Sequence, residues 1–273
     1  MPSPPLKPAA LLGVLRELRA EAQKDRVLVV GGAPQLASAL RRELVRNGVS
    51  GAVREQGPLD EAAALVYVIA GEHRPDDVRV LGDAAKAGIP IVGVATGRVE
   101  GHVPYVLEGN LVRVPSGSGF PVERIARVLA RTLGERATPL AARLPVLRRA
   151  VCDELIRRFS RQNAIVGAAT FVPGADMPVL TLNQIRLVLR IADAHGFELD
   201  RDRLPEVLGV IASGLGLRTA ARQLLGLIPV AGWAVKGAIA FAGTRALGEA
   251  AVRYFERRTP ITRVAGARAL FPR

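Results

Sequence analysis

Residues Gly31–Ser38 read Gly-Gly-Ala-Pro-Gln-Leu-Ala-Ser and follow a short apolar run, Arg26–Val30. Glycines between a strand and a helix let backbone N–H groups cradle a phosphate, and a nearby hydroxyl can hold Mg²⁺. Ser116 and Ser118, in Pro115-Ser-Gly-Ser-Gly119, precede a helical pattern. They read either as a capped Gly-rich turn or as a ligand contact. Other chemistry is sparse. His73, His102 and His195 have no metal-ligand spacing and read as surface or packing residues. Cys152 is the only cysteine, which excludes an intrachain disulfide, and its neighbours Asp153 and Glu154 disfavour a thiolate. No carboxylate pair is placed for acid–base work. The residues predict no catalytic group, no metal site and no cofactor.

Short apolar runs at Arg26–Val30, Gly51–Arg54, Ala64–Ala70, Ile89–Ala95 and Leu111–Pro115 alternate with helical patterns at Gln35–Asn47, Asp76–Ala87 and Val122–Leu133. Gly48 reads as a left-handed cap on the first of these helices. An earlier amphipathic stretch, 9–22, carries Leu11, Val14, Leu15 and Leu18 at helical spacing. The alternation predicts a three-layer α/β domain with a parallel sheet over residues 1–137, the first helix included. In such sheets ligands bind at the carboxyl ends of the strands, so the loops from Gly31, Arg54, Gly71, Ala95 and Ser116 are the ones to inspect.

The order of elements over 26–135 resembles a small GTPase of the Era-like type, in truncated form. That family's phosphate loop has Gly, four variable residues, then Gly-Lys-Ser/Thr. Gly31 and Ser38 match, but Leu36 and Ala37 stand where the second Gly and the Lys belong. A Leu disfavours the loop conformation, and without Lys the γ-phosphate loses its main cation. Arg54-Glu55-Gln56-Gly57 stands at the family's Asp-x-x-Gly, keeping Gly57 but placing a cation where a carboxylate supports Mg²⁺. Ala95-Thr96-Gly97-Arg98 offers no carboxylate to read guanine. The stretch from Gly48 to Gly51 is too short for a first switch loop and its strand. The loop at Ser116 resembles the family's last loop. The resemblance thus implies a GTPase-like domain without GTP hydrolysis, with Gly31, Gly32, Ser38, Gly57 and Ser116 as remnants of a nucleotide site. Binding of another anion at Gly31–Gly32 stays open.

Residues 138–145, from Thr138-Pro139 to Leu144-Pro145, read as a linker. Beyond it the pattern is helical throughout, with spans at 146–168, 180–195, 203–213, 215–226 and 230–257, and a basic tail at 259–273. This predicts an all-α second domain over 146–258. The motifs Arg161-Gln-Asn-Ala164, Phe171 to Pro178 (Phe-Val-Pro-Gly-Ala-Asp-Met-Pro), Thr181-Leu-Asn-Gln184, Leu224 to Ala234 and Gly243 to Gly248 resemble the YcjF-like helical domain of unknown function that accompanies some bacterial GTPases. Members of that family are commonly considered membrane proteins.

The net charge is +13, carried mainly by the second half, where residues 141–273 hold 20 Lys+Arg and 10 Asp+Glu. A basic face attracts phosphates of lipid headgroups or nucleic acid. No basic–aromatic interleaving or helix-turn-helix signature is present, so nucleic acid is the weaker reading. Gln162–Ile185 and Gln223–Thr244 each carry one charge, Asp176 and Lys236 respectively, over lengths able to span a bilayer. They read either as a soluble helical core or as membrane-inserted hairpins. Asp176 and Lys236 either pair in that core or reach solvent at helix ends. Gly232, Gly237, Gly243 and Gly248 permit close helix approach, within a bundle or in a homo-oligomer. Trp233 and Tyr254 read as core or interface residues. Pro2, Pro4, Pro5 and Pro8 with no cleavage site after them argue against a secretory leader. The expectation is a noncatalytic scaffold or adaptor at the cytoplasmic side of the cell membrane, peripheral or integral, partnered by an anionic membrane surface or a membrane protein. Two alternatives remain: a nucleotide-binding regulator and a soluble nucleic-acid binder.

Overall fold

A computed structural model describes residues 8–22, 26–55, 57–72, 74–97, 101–169, 177–197 and 233–258. The chain divides into two compact units, one of residues 24–151 and one that joins the first residues to 152–259.

The first unit is built on five parallel strands: β1 Val27–Gly32, β2 Val53–Glu55, β3 Ala62–Ala70, β4 Ile91–Thr96 and β5 Leu111–Val114. Their order is β2-β1-β3-β4-β5. β3 lies in the middle, and Ala62 to Ile69 are all buried. A strand covered on both faces has no position for a polar side chain, which is why it reads as one apolar run.

Helices α2 (Pro34–Val45), α3 (Pro75–Lys86) and α4 (Val122–Leu133) lie against the sheet. One face of the sheet, with Val27, Val29, Leu65, Tyr67 and Ile69, packs on Leu81 and Ala84 of α3 and on Val103 and Val106. Successive strand side chains point to opposite faces, so Leu28, Val30, Val66 and Val68 serve the other face. That face is covered by α2 and α4. The expected α/β domain with helices on both faces of a parallel sheet is therefore present.

Two local expectations change. The left-handed residue after α2 is Asn47, at φ 59°, not Gly48. Asn tolerates that conformation through its short polar side chain. Gly48 serves close packing instead: a Cβ there would stand 2.8 Å from the Arg143 carbonyl oxygen. The stretch read as a linker contains a short helix, α5 Thr138–Arg143. Pro139 falls in its first turn, where the missing N–H costs nothing.

The second unit contains α1 (Pro8–Ala22), α7 (Met177–Ala194) and α8 (Trp233–Arg258). It also takes the greater part of α6 (Pro145–Ala169), from Cys152 onward. Helix α1, grouped by sequence with the α/β domain, packs in this unit on α7. The cause is electrostatic as well as apolar. Arg190 is only 4% exposed and is held by Glu21 at 2.7 Å and Glu17 at 3.4 Å, while Arg186 reaches Glu17 at 3.3 Å. A buried guanidinium needs its carboxylates, and α1 supplies them.

Helices α6 and α8 meet through small residues. A Cβ on Gly167 would lie 3.0 Å from Ala240 Cβ, one on Gly237 3.0 Å from the Ala164 carbonyl oxygen, and one on Gly248 2.6 Å from Ile156 Cγ1. Gly237 and Gly248 thus allow close approach within the unit. Asp193, half-buried near Arg190 and Glu21, has its pKa pushed up to about 6, chiefly by burial, with Glu21 adding to the rise and Arg190 opposing it.

Candidate functional site

The strand order reverses direction at β1 and β3, so the crevice for a ligand lies outside their carboxyl ends. The sequence placed its remnant phosphate loop there. In the structure β1 ends at Gly32 and α2 begins at Pro34, leaving Ala33 alone between them. A cradle needs several loop residues with convergent N–H groups, and Pro34 at the head of the helix has no N–H.

Each glycine has a packing role. Gly31 is buried, and a Cβ on it would meet the Tyr67 ring at 3.2 Å. Gly32 adopts φ +102°, and a Cβ there would stand 2.0 Å from the Val68 carbonyl oxygen. That oxygen accepts the Ala33 N–H at 2.9 Å. Gly32 therefore lets the end of β1 lie against β3.

Ser38 sits within α2 and donates its hydroxyl to Glu55 at 2.7 Å, with Arg41 3.8 Å from the same carboxylate. Arg41 also donates to the Val53 carbonyl oxygen at 3.2 Å, covering the open edge of the short strand β2. Ala37 is buried, and Arg54 reaches Glu61 at 3.3 Å. Gly57 has φ +122° and borders the Arg54 side chain.

Ser116 stands elsewhere, with its hydroxyl oxygen 3.0 Å from where a Cβ on Gly97 would be. It follows β5, three strands from β1, a lateral distance of roughly 14 Å. The expected residues thus form two groups: Gly31, Gly32 and Ser38 with Glu55 and Gly57 on one side, and Ser116 with Gly97 on the other. Arg98 lies outside the described residues.

Polar chemistry is denser in the helical unit. Asn163 donates to Thr244 Oγ1 at 2.9 Å, and Gln184 donates to the same oxygen at 3.2 Å. Asn183 donates to Asn163 Oδ1 at 2.9 Å, and Thr244 donates to the Ala240 carbonyl oxygen at 2.8 Å. Asn163, Gln184 and Thr244 are fully buried, so α6, α7 and α8 share one polar layer. Among the described residues, the buried atoms Ser160 Oγ and Gln184 Oε1 find no partner. Asn163, Asn183, Gln184 and Thr244 all belong to motifs singled out in the sequence. Their convergence was hidden by separations as large as 81 positions.

Lys236 is exposed on α8, and the residue expected to pair with it, Asp176, lies outside the described residues. Within Gln162–Ile185, α6 runs to Ala169 and α7 from Met177, and residues 170–176 lie outside the described residues. Of Gln223–Thr244, the part before Trp233 lies outside the described residues, as do the spans expected at 203–213 and 215–226 and the tail. Among the described residues no helix is long and apolar enough to cross a membrane, and no group of His, Cys, Asp and Glu could hold a metal ion.

His195 is buried, with Nδ1 2.8 Å from the Ile191 carbonyl oxygen and its ring 6.2 Å from Phe255. Tyr254 meets Phe255 edge-on at 5.1 Å, with Arg258 over its ring at 4.5 Å. Both are packing residues. No protein-family model matches this chain, and no curated protein is significantly similar to it.

Proposed function

We propose that the protein is a noncatalytic scaffold or adaptor whose α/β unit is a degenerate, truncated GTPase-like domain and whose helical unit is YcjF-like. It acts at the cytoplasmic face of the membrane, held there by the basic helical unit. The observation that carries the noncatalytic part is the single-residue connection between β1 and α2 together with the Ser38–Glu55 hydrogen bond. The position that would meet phosphate is a helix start bearing Pro34, and the hydroxyl that would meet Mg²⁺ is held by a carboxylate of the same chain. The five-stranded parallel order supports the GTPase-like part, and the shared polar layer gives the helical motifs a common structural purpose.

Titration calorimetry of the full chain with GTP, GDP and ATP tests the first part, with no micromolar heat expected. Micromolar binding of any of them makes the protein a nucleotide-binding regulator instead. Cell fractionation with carbonate extraction of the pellet tests the second part. Recovery with the membrane pellet is expected. Wholly soluble protein that is retained on DNA or RNA in a salt-dependent way makes it a nucleic-acid binder.

A further inference from the structure

The helical unit is zoned along its length. Ile156 lies against Gly248, Asn163 against Thr244 and Gly167 against Ala240, so α6 and α8 run antiparallel. Gln184 meets Thr244 and Leu187 lies against Gly248, so α7 runs with α8. The last turns of α6 and the first turns of α7 and α8 therefore share one end. That end exposes large aliphatic side chains: Ile165 at 69%, Val179 at 48%, Val235 at 43% and Ile239 at 37%.

At 1.5 Å per residue these four lie within roughly 9 Å of the ends of their helices. Exposed Lys236 lies among them, and exposed Arg161 and Arg245 follow at roughly 12–18 Å. Counting from the same ends, the first acidic residues are Glu154 on α6, Asp193 on α7 and Glu249 on α8, each more than about 20 Å away. The α1 acids Glu17 and Glu21 are engaged with Arg186 and Arg190. Residues 170–176, Asp176 among them, lie outside the described residues.

We propose that this end docks on an anionic phospholipid bilayer, with Ile165, Val179, Val235 and Ile239 entering the headgroup–acyl boundary. Interfacial elements bury their apolar surface about 5–10 Å deep, which matches the depth of the aliphatic zone. Arg161 and Arg245 then fall near the level of the headgroup phosphates, Lys236 extends its ammonium toward them from among the aliphatic side chains, and each cation near such a surface strengthens binding. Among the described residues of α6, α7 and α8, the acids Glu154, Asp193 and Glu249 lie farther from that end than these cations, and Glu249 reaches back to Arg245 at 2.9 Å. This inference rests on the membrane-associated reading proposed above and assigns that association to one surface.

The test uses the full chain, vesicles of neutral phosphatidylcholine with and without phosphatidylglycerol, and flotation as the readout. Trp233, the only tryptophan, begins α8 two residues before Val235, so its emission reports on the same end. The intact chain floats with the anionic vesicles, and Trp233 emission shifts to the blue. The triple variant I165S/V235S/I239S changes exposed positions only. It keeps its circular dichroism and loses more than about tenfold in vesicle affinity. K236Q loses roughly fivefold on anionic vesicles and little on neutral ones. If the intact chain ignores both vesicle types, the inference and the membrane-associated reading fail together. If it floats and the triple variant floats equally well, only the docking surface is wrong. Self-association abolished by the triple variant, without vesicle binding, gives this end to a second copy of the chain and overturns the lipid assignment.

Discussion

The Ser38 hydroxyl donates to the Glu55 carboxylate across 2.7 Å, tying α2 to the end of β2. The bond engages the hydroxyl at the position where the GTPase-like resemblance puts a Mg²⁺ ligand. Restoring the two missing residues is therefore not expected to restore a site. The double substitution L36G/A37K is expected to give no micromolar heat with GTP, since α2 still begins at Pro34. It should also lower thermal stability, because a helix-interior Gly costs about 1 kcal/mol and Ala37 is buried. A folded double variant that binds GTP at micromolar concentration contradicts this account.

Gly31 and Gly32 are adjacent yet differ in what they tolerate. A Cβ on Gly32 would stand 2.0 Å from a backbone oxygen at φ +102°, whereas one on Gly31 meets ring carbons at 3.2 Å. Gly32→Ala is expected to cost more than about 3 kcal/mol, and Gly31→Ala about 1 kcal/mol. Urea denaturation compares them, and equal losses would refute the packing role assigned to Gly32.

The polar layer is sensitive to which partner is removed. Thr244→Val takes away the oxygen that accepts from both Asn163 and Gln184. The cost should be about 1–3 kcal/mol per donor left unpaired. Replacing Asn163, Gln184 and Thr244 together by Leu, Leu and Val leaves one donor, part-buried Asn183, without its acceptor where Thr244→Val leaves two buried ones, and should cost less than Thr244→Val alone. Chemical denaturation of the three proteins orders them, and a triple variant weaker than the single one sinks the argument.

Asp193 makes the helical unit sensitive to acid in an unusual direction. Its folded pKa is about 6 against an ordinary 3.8, so the folded state holds the proton more tightly than the unfolded one. Its contribution to stability is fully present below pH ~4 and is lost as pH rises through ~6. Asp193→Asn removes that dependence and is expected to stabilise the unit at pH 7 by on the order of 2 kcal/mol. Thermal melts at pH 4.5 and 7 measure it; an Asn variant no more stable than the parent at pH 7 rules the effect out.

Local pattern carried the α/β unit. The buried run of β3 and the periodic helix Val122–Leu133 are visible because each buries a simple set of positions. The sheet was legible for the same reason. α5 was not, because Thr138-Pro139 looks like a break unless Pro is recognised as a helix-starting residue. The partner of α1 was hidden, since an amphipathic stripe shows that a helix packs but not on what. Here the decision lies with Glu17 and Glu21, whose partners are about 170 positions away. In the candidate phosphate loop the missing Lys is visible in the residue types themselves. Its geometry, with the helix beginning at Pro34, could not be read from residue types alone.

The grouping of α1 with residues 152–259 makes the helical unit discontinuous in sequence, with the α/β unit inserted between its first helix and the rest. Synthesis therefore delivers α1 first and its partner α7 only after the whole sheet has emerged, so the α/β unit can fold while α1 still waits. Any fragment that starts at the apparent linker near residue 146 carries Arg190 without Glu17 and Glu21, the two carboxylates that α1 supplies to it. Expression of the second half alone should thus yield insoluble or loosely packed protein. Adding α1 back as a separate peptide, or joining it directly to residue 146, is the route to an independent helical unit.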